Sequence, residues 1–126
     1  MLDTTKLHRC EIEHIDFIFC SDEYLLNINQ QFLQHDTLTD IITFDYCVAH
    51  RGDILKTISG EIYISIERIK ENALLFNTGF TKELHRVMIH GVLHLCGFKD
   101  KKLQERKAMR NQEDIALNRL NSILKK

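Results

Sequence analysis

With 126 residues, 44% of them apolar and 28% charged, the chain can enclose a hydrophobic core and has the balance of a globular domain. No apolar run approaches the roughly 18–20 residues needed to cross a bilayer, and Met1 to Cys10 lack the basic-then-apolar pattern of a secretory leader. Cys10, Cys20, Cys47 and Cys96 form neither a CxxC pair nor a dense framework, which argues against a disulfide scaffold and for reduced thiols.

Taken in chain order, residues 11–20 mix alternation with an apolar run and read as a strand, with a further strand offered at Thr4–Arg9. Ser21 is a good N-cap, followed by Asp22 and Glu23 in a first helical turn and by Leu25, Ile28 and Phe32 as a buried stripe through Leu33. His35 to Asp40 is a loop, and Ile41–Val48 a β-branched strand. Ala49 to Thr57, with Gly52-Asp53, is a hairpin connection. Ile58 to Ile66 alternates, with Ile62, Ile64 and Ile66 on one face and Glu61, Tyr63 and Ser65 on the other. Ser65 caps a helix running to Asn77, with Ile66, Ile69, Ala73 and Phe76 inward and Gly79 at its stop.

Thr81 is the expected cap of the next helix, whose apolar face is Leu84, Val87, Met88, Val92 and Leu95. The last helix runs from about Leu103 to Leu124, with Met109, Ile115 and Leu120 inward. The order β-α-β-β-α-α-α predicts a single α+β domain over residues 1–126: a small mixed sheet of about four strands with helices packed on it.

The chemistry concentrates in His90-Gly91-Val92-Leu93-His94-Leu95-Cys96-Gly97-Phe98-Lys99-Asp100. Two histidines at i and i+4 stack on one helix face with Cβ atoms roughly 5–6 Å apart. Ligand atoms on a tetrahedral ion with bonds of about 2.0 Å sit roughly 3.3 Å from one another, within reach of such a pair. Gly97 can take the positive φ that ends a helix, and the turned chain then brings Asp100 back as a third ligand. Gly91 stands where HExxH peptidases carry their general base, so a metallopeptidase is disfavoured. Zn2+ suits a helical HxxxH followed by a turn; a His₂-carboxylate set leaves non-haem Fe(II) as the second choice. Cys96, two residues after His94, faces away from it, and His85 lies off the His90 face.

This segment resembles the HGxLHLxGxxH signature of the YbeY-type bacterial endoribonucleases, the rRNA maturation factors. Asn29-Gln30-Gln31-Phe32, His35-Asp36 and Thr39-Asp40-Ile41-Ile42-Thr43-Phe44 resemble the family's LNxxYRxxDxPTDVLSF block, and Gly60 to Ser65 its GDIxIS strand. The likeness implies a small mixed sheet with a zincin-like metal-bearing helix beneath it. It also implies a cytoplasmic zinc-dependent endoribonuclease acting on single-stranded RNA in 16S rRNA processing and ribosome quality control. His90 and His94 match family ligands; Asp100 stands where the family has a third His. Leu33 stands where it has an Arg important for cleavage. His35 and Asp36 match the loop bordering the family's cleft, Asp40 a polar position suited to local backbone bonding, and Glu61 the acid of GDIxIS.

A net charge of −1 hides an asymmetry, because residues 1–50 hold two basic and nine acidic side chains and residues 51–126 hold fifteen and nine. Lys99, Lys101, Lys102, Arg106, Lys107 and Arg110 begin at the metal motif, and phosphate is their natural ligand. Lys99, Lys101, Lys102 and Arg106 are the expected RNA contacts, with ribosomal particles as partners and neither DNA nor membrane. The competing expectation is a ribosome-assembly factor that binds RNA around a structural metal and catalyses little.

Overall fold

A computed structural model of the chain describes residues 10–32, 39–46 and 56–124. Its elements are β1 (Cys10–Cys20), α1 (Asp22–Phe32), β2 (Ile41–Asp45), β3 (Lys56–Ser65), α2 (Ile66–Leu75), α3 (Phe80–Leu95) and α4 (Leu103–Leu124). The order agrees with the sequence reading. Three strands are described where about four were expected; the strand expected at Thr4–Arg9 lies outside the described residues. The hairpin connection at Ala49–Thr57 lies mostly outside them too.

β3 is the central strand, parallel to β1 and antiparallel to β2, so the sheet is mixed. The uneven pattern of β1 has a simple cause: the register shifts between Ile12 and His14. One extra residue there resets the phase of the alternation. Ile12, on one side of the shift, and Ile15 and Phe17, on the other, therefore pack against the same core.

Each sheet face carries helices. Ile58, Ile62 and Ile64 of β3 are fully buried against Ile69 of α2 and Val87, Val92 and Leu95 of α3. On the opposite face Ile42 packs with Leu25 and Ile28 of α1, beside the edge-to-face pair Phe44–Tyr63. Further out, Ile89 and Leu93 of α3 pack on Met109, Ala116 and Leu117 of α4. Helix α3 is thus buried on two sides, by the sheet and by α4. Its third side is left for polar side chains.

Ser65 ends β3 and caps α2, accepting from the Arg68 amide at 3.2 Å. Its hydroxyl also donates to Asp22, which Arg68 Nε holds at 3.2 Å. This fully buried serine ties together the starts of two helices and the end of the central strand. Ser21 caps α1 as expected, its Oγ accepting from the Tyr24 amide at 3.2 Å.

Several boundaries differ from the sequence reading. Helix α3 starts at Phe80 with Gly79 as its cap residue and no side-chain bond, so Thr81 is not the cap. Helix α2 ends at Leu75, and the left-handed residue after it is Asn77 (φ 52) rather than Gly79. Phe76 consequently points outward, 61% exposed. Ile115 is also 38% exposed, its expected place in the core taken by Ala116 and Leu117. Strand β2 covers Ile41–Asp45, and Cys47 and Val48 of the expected strand lie outside the described residues.

Candidate metal centre

Two helical turns of α3 and the loop after it build the site. Gly91 lets α3 lie close on the sheet: a Cβ there would sit 2.9 Å from Ile41 Cδ1 and 3.0 Å from Ile62 Cγ2. The neighbouring residues on the outer side, His90 and His94, then face away from the sheet. At the helix end Gly97 takes φ 110, its amide bonds His94 O at 3.0 Å, and Phe98 N bonds Leu93 O at 3.0 Å. That pair of bonds is a Schellman closure, with Phe98 packing on the α3–α4 core beside Leu93. The chain reverses, and Asp100 swings back over the histidines.

The three side chains converge as the spacing predicts. His90 Nε2 and His94 Nε2 are 3.0 Å apart, and Asp100 Oδ2 is 3.2 Å from each. These separations approach the roughly 3.3 Å between ligands on a tetrahedral ion. Among the described residues this is the one trio of His, Cys, Asp or Glu close enough to share a cation. Two imidazole nitrogens so close repel through their lone pairs unless a proton or a cation lies between them. The donor set, two neutral nitrogens and one carboxylate oxygen, fits a divalent ion of the borderline class.

Behind the trio stands a residue that the periodicity did not single out. Glu113 of α4, only 5% exposed, accepts from His90 Nδ1 at 2.6 Å. That bond places the ring proton on Nδ1 and aims the Nε2 lone pair at Asp100 and His94. Glu113 is itself held by Arg86 Nη1 at 3.0 Å, and Arg86 Nη2 reaches Asp114 at 2.7 Å. A signal for it existed: position 113 falls on the same α4 stripe as Met109, Ala116 and Leu117. An acid in an apolar stripe needs a buried partner.

Burial pulls the His90 pKa down, but the hydrogen bond and charge of Glu113, with Asp100 and Asp40 adding to them, leave it raised. Asp40 and Glu83 are both pushed up, chiefly by burial and against nearby cationic groups. With His90, Asp100 and Glu113 these two acids line a cavity of about 580 Å³. Asp40 therefore sits at the site and also makes the local backbone bond that the sequence suggested, its carboxylate bonding its own main chain.

Of the expected RNA contacts only Arg106 lines this cavity, joined there by Lys107 and Arg110; Lys99, Lys101 and Lys102 are exposed but do not line it. Glu61 is occupied elsewhere, taking the hydroxyls of Tyr46 and Tyr63. Cys96 packs against the core beside the sheet rather than joining the trio. Leu33, His35 and Asp36 lie outside the described residues.

Residues 2–121 match the family described as Endoribonuclease YbeY. The chain belongs to the YbeY family. It is 59% identical to the YbeY endoribonuclease of Flavobacterium psychrophilum over 103 residues, covering 82% of this chain and 69% of that one. The Bacteroides fragilis YbeY endoribonuclease is 52% identical over 106 residues, covering 84% and 72%. A Thermotoga maritima protein solved in solution superposes with a TM-score of 0.57 at 30% identity, over 95% of this chain and 78% of that one. The converged trio carries Asp100 at the position of the last histidine in the HGxLHLxGxxH signature.

Proposed function

We propose that this protein is a metal-dependent endoribonuclease that cuts single-stranded RNA during rRNA maturation, including 16S rRNA processing and ribosome quality control, in the bacterial cytoplasm. Its relatives are named endoribonucleases. The single observation that carries the reading is the 3.0–3.2 Å triangle of His90, His94 and Asp100, with Glu113 bonded behind His90. No helix of the described residues is long and apolar enough to cross a membrane.

Zinc is the proposed ion; when bound, it would supply Lewis acidity to the cleavage of the phosphodiester. His90 and His94 would hold it through Nε2, and Asp100 through one carboxylate oxygen. Asp100 in place of a neutral histidine lowers the charge of the loaded site from +2 to +1, which weakens that acidity. Glu113 keeps the His90 ring in one tautomer. No glutamate follows His90, so proton traffic falls to other groups. Asp40 lies in the same cavity, and burial raises its pKa in the direction a proton carrier needs. Arg106, Lys107 and Arg110 hold the phosphates of the strand.

Purified protein should cut single-stranded RNA, lose that activity on chelation, and recover it with zinc. His94→Ala should abolish both cutting and metal content. Metal-independent cutting by His94→Ala would remove the proposal. The converged trio and the endoribonuclease relatives favour this reading over an assembly factor with an inert metal. Elemental analysis of Asp100→Ala beside the native protein tests the third ligand, and equal metal in both excludes it.

A further inference from the structure

The end of α2 holds an aromatic ring that the fold does not use. Helical periodicity groups Phe76 with Ile69 and Ala73, yet those two are 0% and 5% exposed while Phe76 is 61% exposed. The cause is local. The helix stops at Leu75, Phe76 takes the cap position (φ −92, ψ 5), and Asn77 turns left-handed at φ 52. Asn77 N bonds Leu74 O at 3.3 Å and Thr78 N bonds Ala73 O at 2.9 Å, so the turn is tied back to the last turn of α2. The ring stacks on no other ring among the described residues.

Its position gives the ring a use. Phe76 lines the same cavity of about 580 Å³ as His90 and Asp100, with Arg106, Lys107 and Arg110 of α4 also on its wall. That volume lies within the range of roughly 300–1,000 Å³ typical of ligand pockets. A single strand of RNA presents phosphates for cations and flat base faces for an aromatic ring, in alternation along its length. A duplex withholds those base faces.

We propose that Phe76 is a stacking platform for an unpaired base of the substrate, near the phosphodiester that meets the His90–His94–Asp100 centre. The proposal rests on the ribonuclease reading and names the part of the site that selects single strands. Because every base has a π-face, the platform tolerates any base identity. Phe76 contacts substrate without taking part in the chemistry. Its loss therefore acts on binding and leaves the metal centre intact.

The test uses the full-length, zinc-loaded protein and single-stranded oligoribonucleotides. Phe76→Ala should lower kcat/KM by roughly fivefold to 150-fold, mostly through KM, the loss expected for one base–aromatic stack. Metal content and Tm should stay at wild-type values, since the ring is exposed. Phe76→Trp should restore kcat/KM and show indole quenching when a 2′-O-methyl, uncleavable strand binds, whereas Phe76→Leu should not restore it. Replacing one nucleotide at a time with an abasic unit should reveal one position whose loss weakens wild-type binding but not Phe76→Ala binding. If the wild type cuts RNA and Phe76→Ala matches it in KM, the stacking role is gone while the ribonuclease reading stands. If the wild type neither binds nor cuts RNA, both fall together.

Discussion

Glu113 places a carboxylate among Met109, Ala116 and Leu117 at 5% exposure, a position that costs stability unless the charge is fully paired. It is paired twice, to His90 Nδ1 and to Arg86, and its effect on His90 is the property most open to measurement. Replacing it by Gln keeps the shape and removes the charge. Glu113→Gln should weaken zinc binding by about 10- to 100-fold in competition with a chromogenic chelator, the usual cost of losing a partner behind a ligand. His90 also sets a pH dependence whose sign differs between the two forms. Its folded pKa is raised above 6.5, so in metal-free protein its contribution to stability is complete below about pH 6.5 and is lost as pH climbs through the folded value. Metal-free protein should therefore lose that part of its Tm as pH rises above 6.5, and Glu113→Gln should flatten the loss. Zinc affinity should move the other way and rise as pH climbs above 6.5, because protons and metal compete for Nε2.

Helix α3 and the turn after it act as one unit. The sheet fixes the height of the helix through Gly91, α4 fixes its roll through Ile89 and Leu93, and the Schellman closure at Gly97 fixes where Asp100 returns. A side chain at position 97 would meet the strain of φ 110, worth about 1–2 kcal/mol for a residue with a Cβ. Gly97→Ala should lower stability by about that amount in urea unfolding and weaken zinc binding as well, because the loop carrying Asp100 shifts. Gly91→Ala presents a closer balance. A gain of up to about 1 kcal/mol in helix propensity opposes crowding against Ile41 and Ile62, which typically costs about 1–3 kcal/mol. We expect net destabilisation, since Ile62 Cγ2 is anchored close to a β-strand and cannot swing away. An unchanged urea midpoint for Gly91→Ala would show that the helix can rise off the sheet without loss.

Charge is distributed over the molecule so that the basic part of the chain carries one wall of the cavity. Residues 11–50 contain no Lys or Arg, while Arg106, Lys107 and Arg110 of α4 stand beside the metal centre. Binding of single-stranded RNA should weaken with salt, with a log–log slope changing by about 0.7 for each phosphate contact. Lys107→Ala should reduce the slope by about that amount in a filter-binding titration, whereas Lys101→Ala, off the cavity, should leave it nearly unchanged. Equal slopes for the two variants would place the strand along the loop rather than in the cavity.

Much of this was legible before any coordinates. The i,i+4 histidines, the glycine that closes the helix and the acid beyond it are local in sequence, and local geometry alone decides that His90, His94 and Asp100 can meet. The order of elements and the approximate extent of α4 followed from hydrophobic period for the same reason. What needed the tertiary structure depends on partners distant in the chain. Glu113 faces His90 across 23 residues, and Asp40 reaches the cavity only because β2 lies beside β3. Periodicity reports which face of a helix is apolar. It does not report which other element will pack there, nor which buried acid will find a ligand behind it.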